Sequence, residues 1–448
     1  MSRLFGTDGV RGLANKELTA EMAFAMGRAA TCHFGHEAER PKILIGRDTR
    51  LSGMMLEAAL AAGICSAGGD ALLLGVAPTP AVAYLAQELG AQAGVVISAS
   101  HNPFEDNGIK FFSATGYKLP DSVEDELEEI MARGVNQLPY PTKDGIGRII
   151  PKHDQLDIYY DYLARSIPDS LEGLKIVVDC ANGAAYKVAP HIFKRLGAEV
   201  IAMYTEPDGI NINEDCGSTH MGNLQAAVLK HGADIGIAHD GDADRCLIVD
   251  ETGQIIDGDR IMLICALALK AKGHLKDQTV VATVMSNIGF HQAAKEHGLR
   301  VEVASVGDRY VLEKMQAGGY SLGGEQSGHI IFGDLSTTGD GVLTGIQLLA
   351  ALKSSGKKMS ELAAVMIQYP QLLINIRVQS KAGWDTNEAI SAAVSASEAE
   401  LGDNGRILVR PSGTEPLLRV MAEGPDLAQL EELTGKIADV VKQELGSN

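Results

Sequence analysis

Short aliphatic runs alternate along this chain with longer mixed stretches, and glycine recurs where a helical pattern gives way to the next run. Lys42-Ile43-Leu44-Ile45 has the length and β-branched content of a buried strand. It is followed by a helical stretch ending at Gly69, a strand over 71–74, a second helical stretch over 81–89 closed by Gly90, and a third strand, Gly94-Val95-Val96-Ile97. The order returns from Ile176-Val177-Val178, with a helix to Gly197, a strand over 199–201, a helix to Gly232 and a strand over 235–237. It returns again from Val280-Val281, with a helix to Gly298, a strand over 301–303, a helix to Gly318 and a strand over 320–322. The middle copy carries a polar insert around 205–223. Three related βαβαβ units are the simplest account of such a repeat.

The last part of the chain differs. It predicts a strand over 372–378, a helix over 388–401, a hairpin pair over 406–409 and 417–421, and a closing helix over 427–445. The expected fold class is therefore α/β: three related βαβαβ-type mixed-sheet domains plus a smaller C-terminal α+β domain around a central cleft. The expected domains are 1–150, 151–255, 256–368 and 369–448.

A polar loop follows each third strand: Ser98-Ala99-Ser100-His101-Asn102-Pro103, Asp240-Gly241-Asp242-Ala243-Asp244-Arg245 and Gly324-Glu325-Gln326-Ser327-Gly328-His329. Open α/β sheets bind ligands beyond the carboxyl ends of their strands, so equivalent loops from three units converge on one cleft. The hairpin turn Arg410-Pro411-Ser412-Gly413-Thr414-Glu415-Pro416 adds a fourth candidate loop.

Asp240, Asp242 and Asp244 crowd three carboxylates into five residues, an unfavourable arrangement unless a cation sits among them. An oxygen-only ligand set suits Mg²⁺, Ca²⁺ or Mn²⁺ rather than zinc. The run matches part of an EF-hand loop, with Glu251 at the twelfth position, but Arg245 stands where that loop needs its glycine and the flanks read as strands. Ser100 lies just past a strand that Pro103 cannot continue, so its hydroxyl is expected to be exposed. A phosphate on Ser100 would add about −1.5 to −2 of charge and require a divalent ion with cationic side chains. Arg11, Lys110 and Arg245 are the candidates, while Arg47 and Arg50 read equally as ligand contacts or a solvated turn. Arg410, Ser412, Gly413 and Thr414 supply a guanidinium, hydroxyls and an approachable backbone for an oxyanion, with Arg419 as a second cation. Glu325, Gln326 and Ser327 offer groups that read sugar hydroxyls or an amine, and His329 fits a structural histidine or a proton shuttle equally.

Composition narrows the partners. The chain has 448 residues, 45% hydrophobic and 22% charged, ample for several cores. A net charge of −19 excludes a broad surface for nucleic acid or anionic lipid, so an anionic ligand needs a local basic pocket. The six cysteines show no C-x-x-C pairing and read as reduced thiols, and no apolar leader or membrane-length run is present, which points to a cytoplasmic address.

These motifs, with Phe5-Gly6-Thr7-Asp8-Gly9-Val10-Arg11-Gly12 and Asn107-Gly108-Ile109-Lys110, resemble the α-D-phosphohexomutase superfamily along essentially the whole chain, most closely its bacterial phosphoglucosamine branch. The resemblance implies that Ser100 is phosphorylated and that Asp240, Asp242 and Asp244 bind one Mg²⁺ together with a phosphoserine oxygen. It further implies that Arg11, Lys110 and Arg245 assist phosphoryl transfer, that Glu325 and Ser327 hold sugar hydroxyls, and that Arg410, Ser412, Gly413 and Thr414 grip a distal phosphate. The activity implied is interconversion of glucosamine 6-phosphate and glucosamine 1-phosphate through a 1,6-bisphosphate that serves as intermediate or activator, supplying amino-sugar and cell-wall precursors; a homodimer accords with that branch. Superfamily members acting on glucose or mannose phosphates typically carry Met at the position of Gln326, a Lys near 285–287 and a His near 307–309, none of which occurs here. Three rival readings are a sugar-phosphate sensor, which has no need of Ser100 or the aspartates, a metal-dependent phosphatase, which releases inorganic phosphate, and a glucose or mannose phosphomutase.

Overall fold

A computed structural model describes residues 4–6, 8–36, 38, 40–412 and 416–446, and the described residues form four sheets. The first contains β1 (Val10–Leu13), β2 (Lys42–Arg47), β3 (Asp70–Val76), β4 (Ala93–Ile97), β5 (Asp106–Ser113) and β6 (Ile149–Pro151), in the order β1-β5-β4-β2-β3-β6. The second contains β7 (Lys175–Asp179), β8 (Glu199–Met203), β9 (Ile235–Ala238), β10 (Leu247–Asp250) and β11 (Ile255–Ile256), ordered β11-β10-β9-β7-β8. The third contains β12 (Thr279–Thr283), β13 (Arg300–Ala304), β14 (Leu322–Gly324) and β15 (Ile330–Phe332), ordered β13-β12-β14-β15. The fourth is antiparallel, β16 (Gln371–Arg377), β17 (Arg406–Pro411) and β18 (Leu417–Glu423), ordered β16-β18-β17.

One arrangement recurs in the first three sheets. The first strand of each repeat lies between the second and third, all parallel, as the helical crossovers require. The third strand then pairs antiparallel with the strand that follows it: Ile97 opposite Ile109, Ala238 opposite Leu247, and Gly324 opposite Ile330. Each polar loop is thus a chain reversal held at both ends by a ladder. In the third repeat the strand begins two residues later than 320–322. Gly318 stays within the helix, Gly319 takes the left-handed cap (φ 61°), and the Tyr320 N–H donates back to the Met315 carbonyl, so pairing starts only at Leu322.

The chain divides into two compact units, Met1–Met285 with Arg300–Val365, and Ser286–Leu299 with Met366–Asn448. In the second, the segment after β12 is tied to C-terminal residues: the Asn287 side chain exchanges hydrogen bonds with the Tyr369 backbone, Glu423 accepts from the Ile288 N–H, and Arg406 donates to the Ser286 carbonyl at 2.6 Å. Its core gathers Ile376, Leu418, Val420, Leu430, Leu433 and Ile437. No helix among the described residues is long and apolar enough to cross a membrane.

The larger unit's first core packs Ile43, Ile45, Val95, Ile97 and Phe111 with the helices Ala20–Phe34 and Gly53–Ser66. Those helices approach backbone to backbone through glycine: a Cβ at Gly63 would lie 2.2 Å from the Phe24 carbonyl oxygen, and one at Gly27 would lie 2.3 Å from that of Leu60. Gly63→Ala is expected to destabilise this lobe by about 1–3 kcal/mol, read as a lower urea midpoint with an unchanged slope.

Candidate active site

Ser100 heads the reversal between β4 and β5 in a left-handed conformation (φ 52°), a strained geometry for a residue with a Cβ. Its N–H donates to Ser98 Oγ (3.0 Å), and its Oγ donates to Asp240 Oδ2 (2.6 Å) and lies 3.3 Å from His101 Nδ1. The expectation of an exposed hydroxyl is corrected, because Ser100 is only 2% exposed. The loop of the second repeat closes over it, and a Cβ at Gly241 would stand 2.4 Å from the Ser100 carbonyl oxygen.

That aspartate loop is sewn to all three repeats. Thr79 donates its N–H to the Asp242 carbonyl (3.0 Å) and its hydroxyl to Asp242 Oδ2 (2.7 Å), and Ala184 donates to the Gly241 carbonyl (2.7 Å). Gly341 donates to the Ala243 carbonyl (3.0 Å), and Cys246 donates to the Gly328 carbonyl (3.0 Å). Ligand oxygens of Asp240, Asp242 and Asp244 lie within 4.8 Å of one another, all buried, and Oδ1 of both Asp242 and Asp244 is buried without a hydrogen-bond partner. Burial, reinforced by Asp244 and Asp242, pushes Asp240 up to about 8. Hard, oxygen-only, unsatisfied and mutually repelling donors fit a divalent cation. Strands β9 and β10 flank the loop, which disposes of the EF-hand reading.

Beside the cluster runs a chain of alternating charge with a cluster aspartate at each end. Lys110 Nζ lies 3.0 Å from Asp242 Oδ2 and 3.0 Å from Asp8 Oδ2, and Asp8 also pairs with Arg11. Lys118 Nζ bridges Asp8 (2.7 Å) and Asp308 (2.6 Å), and His329 lies 3.6 Å from Asp308 and 3.5 Å from Asp244. Burial alone would depress Lys110 and Lys118, but the carboxylates around each hold it well above the ordinary lysine range. His329 follows the same logic: burial and the Gly339 N–H aimed at its Nε2 (3.1 Å) oppose a positive charge, yet Asp244 and Asp308 outweigh them and push it up to about 9. His101 goes the other way, down to about 4, through burial and the nearby Arg245 and Arg11. Arg245 Nε stands 3.9 Å from both Asp240 and Asp244.

In the third loop, Glu325 Oε1 accepts from the Gly307 N–H (3.0 Å), Gln326 donates to Asp257 Oδ2 (3.2 Å), and Ser327 Oγ is buried without a partner. In the smaller unit, Arg410 and Arg419 lie directly opposite one another across β17 and β18, a like-charge pairing that is unfavourable in a bare hairpin and suited to an anion. Arg410 Nε is buried without a partner, and partial burial with Arg419 nearby holds its pKa below the usual guanidinium value. Ser412 is buried, with Arg419 3.4 Å from its Oγ and Lys381 donating to its carbonyl (2.7 Å). Gly413 and Thr414 lie outside the described residues.

Ser100, the three aspartates, Lys110, Arg245 and Arg11 therefore form one constellation in the larger unit. Arg47 pairs with Glu57, and Arg50 is fully buried, so neither is a solvated turn. Asp8, Thr79, Lys118 and Asp308 belong to the same constellation, although no role followed for them from sequence reasoning. Asp8 sits in a quoted motif, whereas Lys118 and Thr79 have no local signal at all.

Family models for phosphoglucomutase/phosphomannomutase match residues 2–137 (α/β/α domain I), 157–253 (α/β/α domain II), 257–369 (α/β/α domain III) and 373–440 (C-terminal domain). A phosphoglucosamine mutase of Heliobacterium modesticaldum is 56% identical over 459 residues, covering 99% of this chain and 100% of the relative. Another from Symbiobacterium thermophilum is 56% identical over 447 residues with the same coverage. A phosphoglucomutase/phosphomannomutase family structure from Burkholderia thailandensis superposes with a TM-score of 0.83 at 25% identity, covering 100% of both chains. With all four domain models matched in order and identity of this level over its full length, the chain belongs to the phosphoglucosamine mutases of the phosphoglucomutase/phosphomannomutase family.

Proposed function

We propose that this chain interconverts glucosamine 6-phosphate and glucosamine 1-phosphate through a phosphorylated Ser100, with Mg²⁺ at the three aspartates and glucosamine 1,6-bisphosphate as the intermediate. The observation that carries the reading is the Ser100 hydroxyl 2.6 Å from Asp240, in a cluster whose buried carboxylate oxygens lack partners. A bound divalent ion would supply charge neutralisation for the phosphoryl group. Lys110, held charged between Asp242 and Asp8, and Arg245, beside Asp240 and Asp244, would stabilise the transferring oxygens.

In the forward half-reaction, the P–Oγ bond of phosphoserine breaks and a bond from phosphorus to the C1 hydroxyl oxygen forms. The proton lost by that hydroxyl is returned to Oγ. His101, neutral at physiological pH and 3.3 Å from Oγ, is the side chain suited to carry it. After the bisphosphate reorients, Ser100 Oγ takes the phosphoryl group from C6, leaving the 1-phosphate. The basic pair Arg410 and Arg419 with Ser412 would hold the phosphate that is not reacting, and Glu325 and Ser327 the sugar hydroxyls. Relatives 56% identical over 99% of the chain, both phosphoglucosamine mutases, favour a mutase over a phosphatase.

Supplying glucosamine, glucose and mannose 6-phosphates in parallel, with Mg²⁺ and a trace of bisphosphate, should yield the corresponding 1-phosphate fastest from glucosamine and release little inorganic phosphate. Ser100→Ala should lower turnover by on the order of 10³-fold or more while sugar phosphate still binds; near-normal turnover in that variant would remove the nucleophile. Metal linkage gives a further expectation. Asp240 titrates at about 8 in the cation-free fold against a reference of 3.8, so between these values the native state holds the extra proton and stability falls as pH rises. The wild-type melting temperature without cation should therefore decline from pH 6 to 8.5 more steeply than that of Asp240→Asn, and Mg²⁺ should raise it most at the higher pH. Parallel pH profiles for the two proteins would overturn this linkage.

A further inference from the structure

The geometry points to Arg50 and Asn213 as positioning residues that together set the backbone of Ser100 and its distance from the aspartate cluster. The inference rests on the phosphoserine reading above. Arg50 is 1% exposed and spends all five guanidinium N–H groups beneath the serine loop. Its Nε donates to Asp48 Oδ2 (2.8 Å), its Nη1 donates to the carbonyls of Pro103 and Asp106 (the latter at 3.0 Å), and its Nη2 donates to those of Ser100 (2.9 Å) and Asn102 (2.8 Å). Asp48 in turn accepts from Ser98 Oγ (2.6 Å), the hydroxyl that holds the Ser100 N–H. Both backbone polar groups of the nucleophile are thereby fastened from below.

Asn213 comes from the polar insert of the second repeat. Its own N–H is rooted on the Ala181 carbonyl (3.0 Å), and its amide nitrogen donates to the same two carbonyls, Ser100 (2.9 Å) and Asn102 (3.0 Å). Two carbonyl acceptors fix the amide's orientation, since its oxygen would be repelled there. The second repeat also carries Asp240, Asp242 and Asp244, so Asn213 gauges the spacing between nucleophile and carboxylates. Without these donors the Ser100 carbonyl loses its fastening, and the left-handed φ of 52° relaxes and carries Oγ off Asp240. Neither residue touches the reacting atoms: both act through Ser100.

The test compares Asn213→Ala, Asn213→Asp and Arg50→Lys with wild type and Ser100→Ala, using steady-state kinetics on glucosamine 6-phosphate and single-turnover phosphorylation of dephosphorylated enzyme by the 1,6-bisphosphate. Rates are normalised to folded protein from the thermal transition. The expected result is a kcat loss of ~10- to 100-fold, with KM within about threefold and the phosphorylation step slowed in parallel. A kcat per folded molecule near wild type in both Asn213 variants would overturn the inference, as would losses that follow only the folded fraction; if Asn213→Ala does not fold, Arg50→Lys and Asn213→Asp decide by the same measures. Undiminished activity in Ser100→Ala would instead remove the phosphoserine reading, and this role with it.

Discussion

Mutual repulsion among Asp240, Asp242 and Asp244 is the constraint around which the larger unit is arranged. Three acidic side chains within 4.8 Å of one another, nearly closed to water, do not hold three negative charges unaided. The surroundings answer in two ways. Lys110, Arg245 and His329 bring compensating charge from the flanks, and the loop backbone is pinned by N–H groups of Thr79, Ala184 and Gly341, which fixes where the carboxylates point. What remains is one buried oxygen each on Asp242 and Asp244 without a hydrogen-bond partner, in a group of donors that could hold a metal ion.

The chain of ion pairs from Asp242 through Lys110, Asp8, Lys118, Asp308 and His329 to Asp244 extends this compensation across the first and third repeats. Buried ion pairs contribute little net stability once desolvation is counted. Their value here lies in order: Lys110, Asp8, Lys118, Asp308 and His329 are each placed by two or more opposite charges, so displacing one strands its neighbours in a poorly solvated region. A site for phosphoryl transfer benefits from such fixed dipoles and charges, because nothing need reorganise as charge moves.

Much of this architecture was legible in the amino-acid order, for identifiable reasons. Helices that end in glycine and strands of consecutive aliphatic residues leave local signatures, and the helices Glu388–Leu401 and Leu427–Leu445 fall where periodicity places them. Ser100, the aspartates and the basic hairpin were visible because their chemistry is concentrated in short polar runs at strand ends. Thr79, Lys118 and Asn213 were not, since each acts through a partner more than a hundred residues away and is surrounded by unremarkable neighbours. The burial of Ser100 escaped for a related reason: a turn looks open until a loop from another repeat is laid across it. The late start of β14 shows the limit of counting from glycine, because of two adjacent glycines only the second became the cap.

Each reactive loop is bounded by a ladder on both sides, and the third is the shortest of these reversals, spanning only 325–329 between two three-residue strands. Even so it is tied down: Glu325 accepts from the Gly307 N–H, Gln326 reaches Asp257 and His329 pairs with Asp244 and Asp308, which leaves Ser327 as the one side chain of 325–327 and 329 without a hydrogen-bond partner. Ser100 and the aspartates sit in loops with strained backbone and contacts to other repeats, where replacements reverberate. Evolutionary change in this loop thus has its widest freedom at Ser327, while its neighbours are held to their posts by partners elsewhere in the unit.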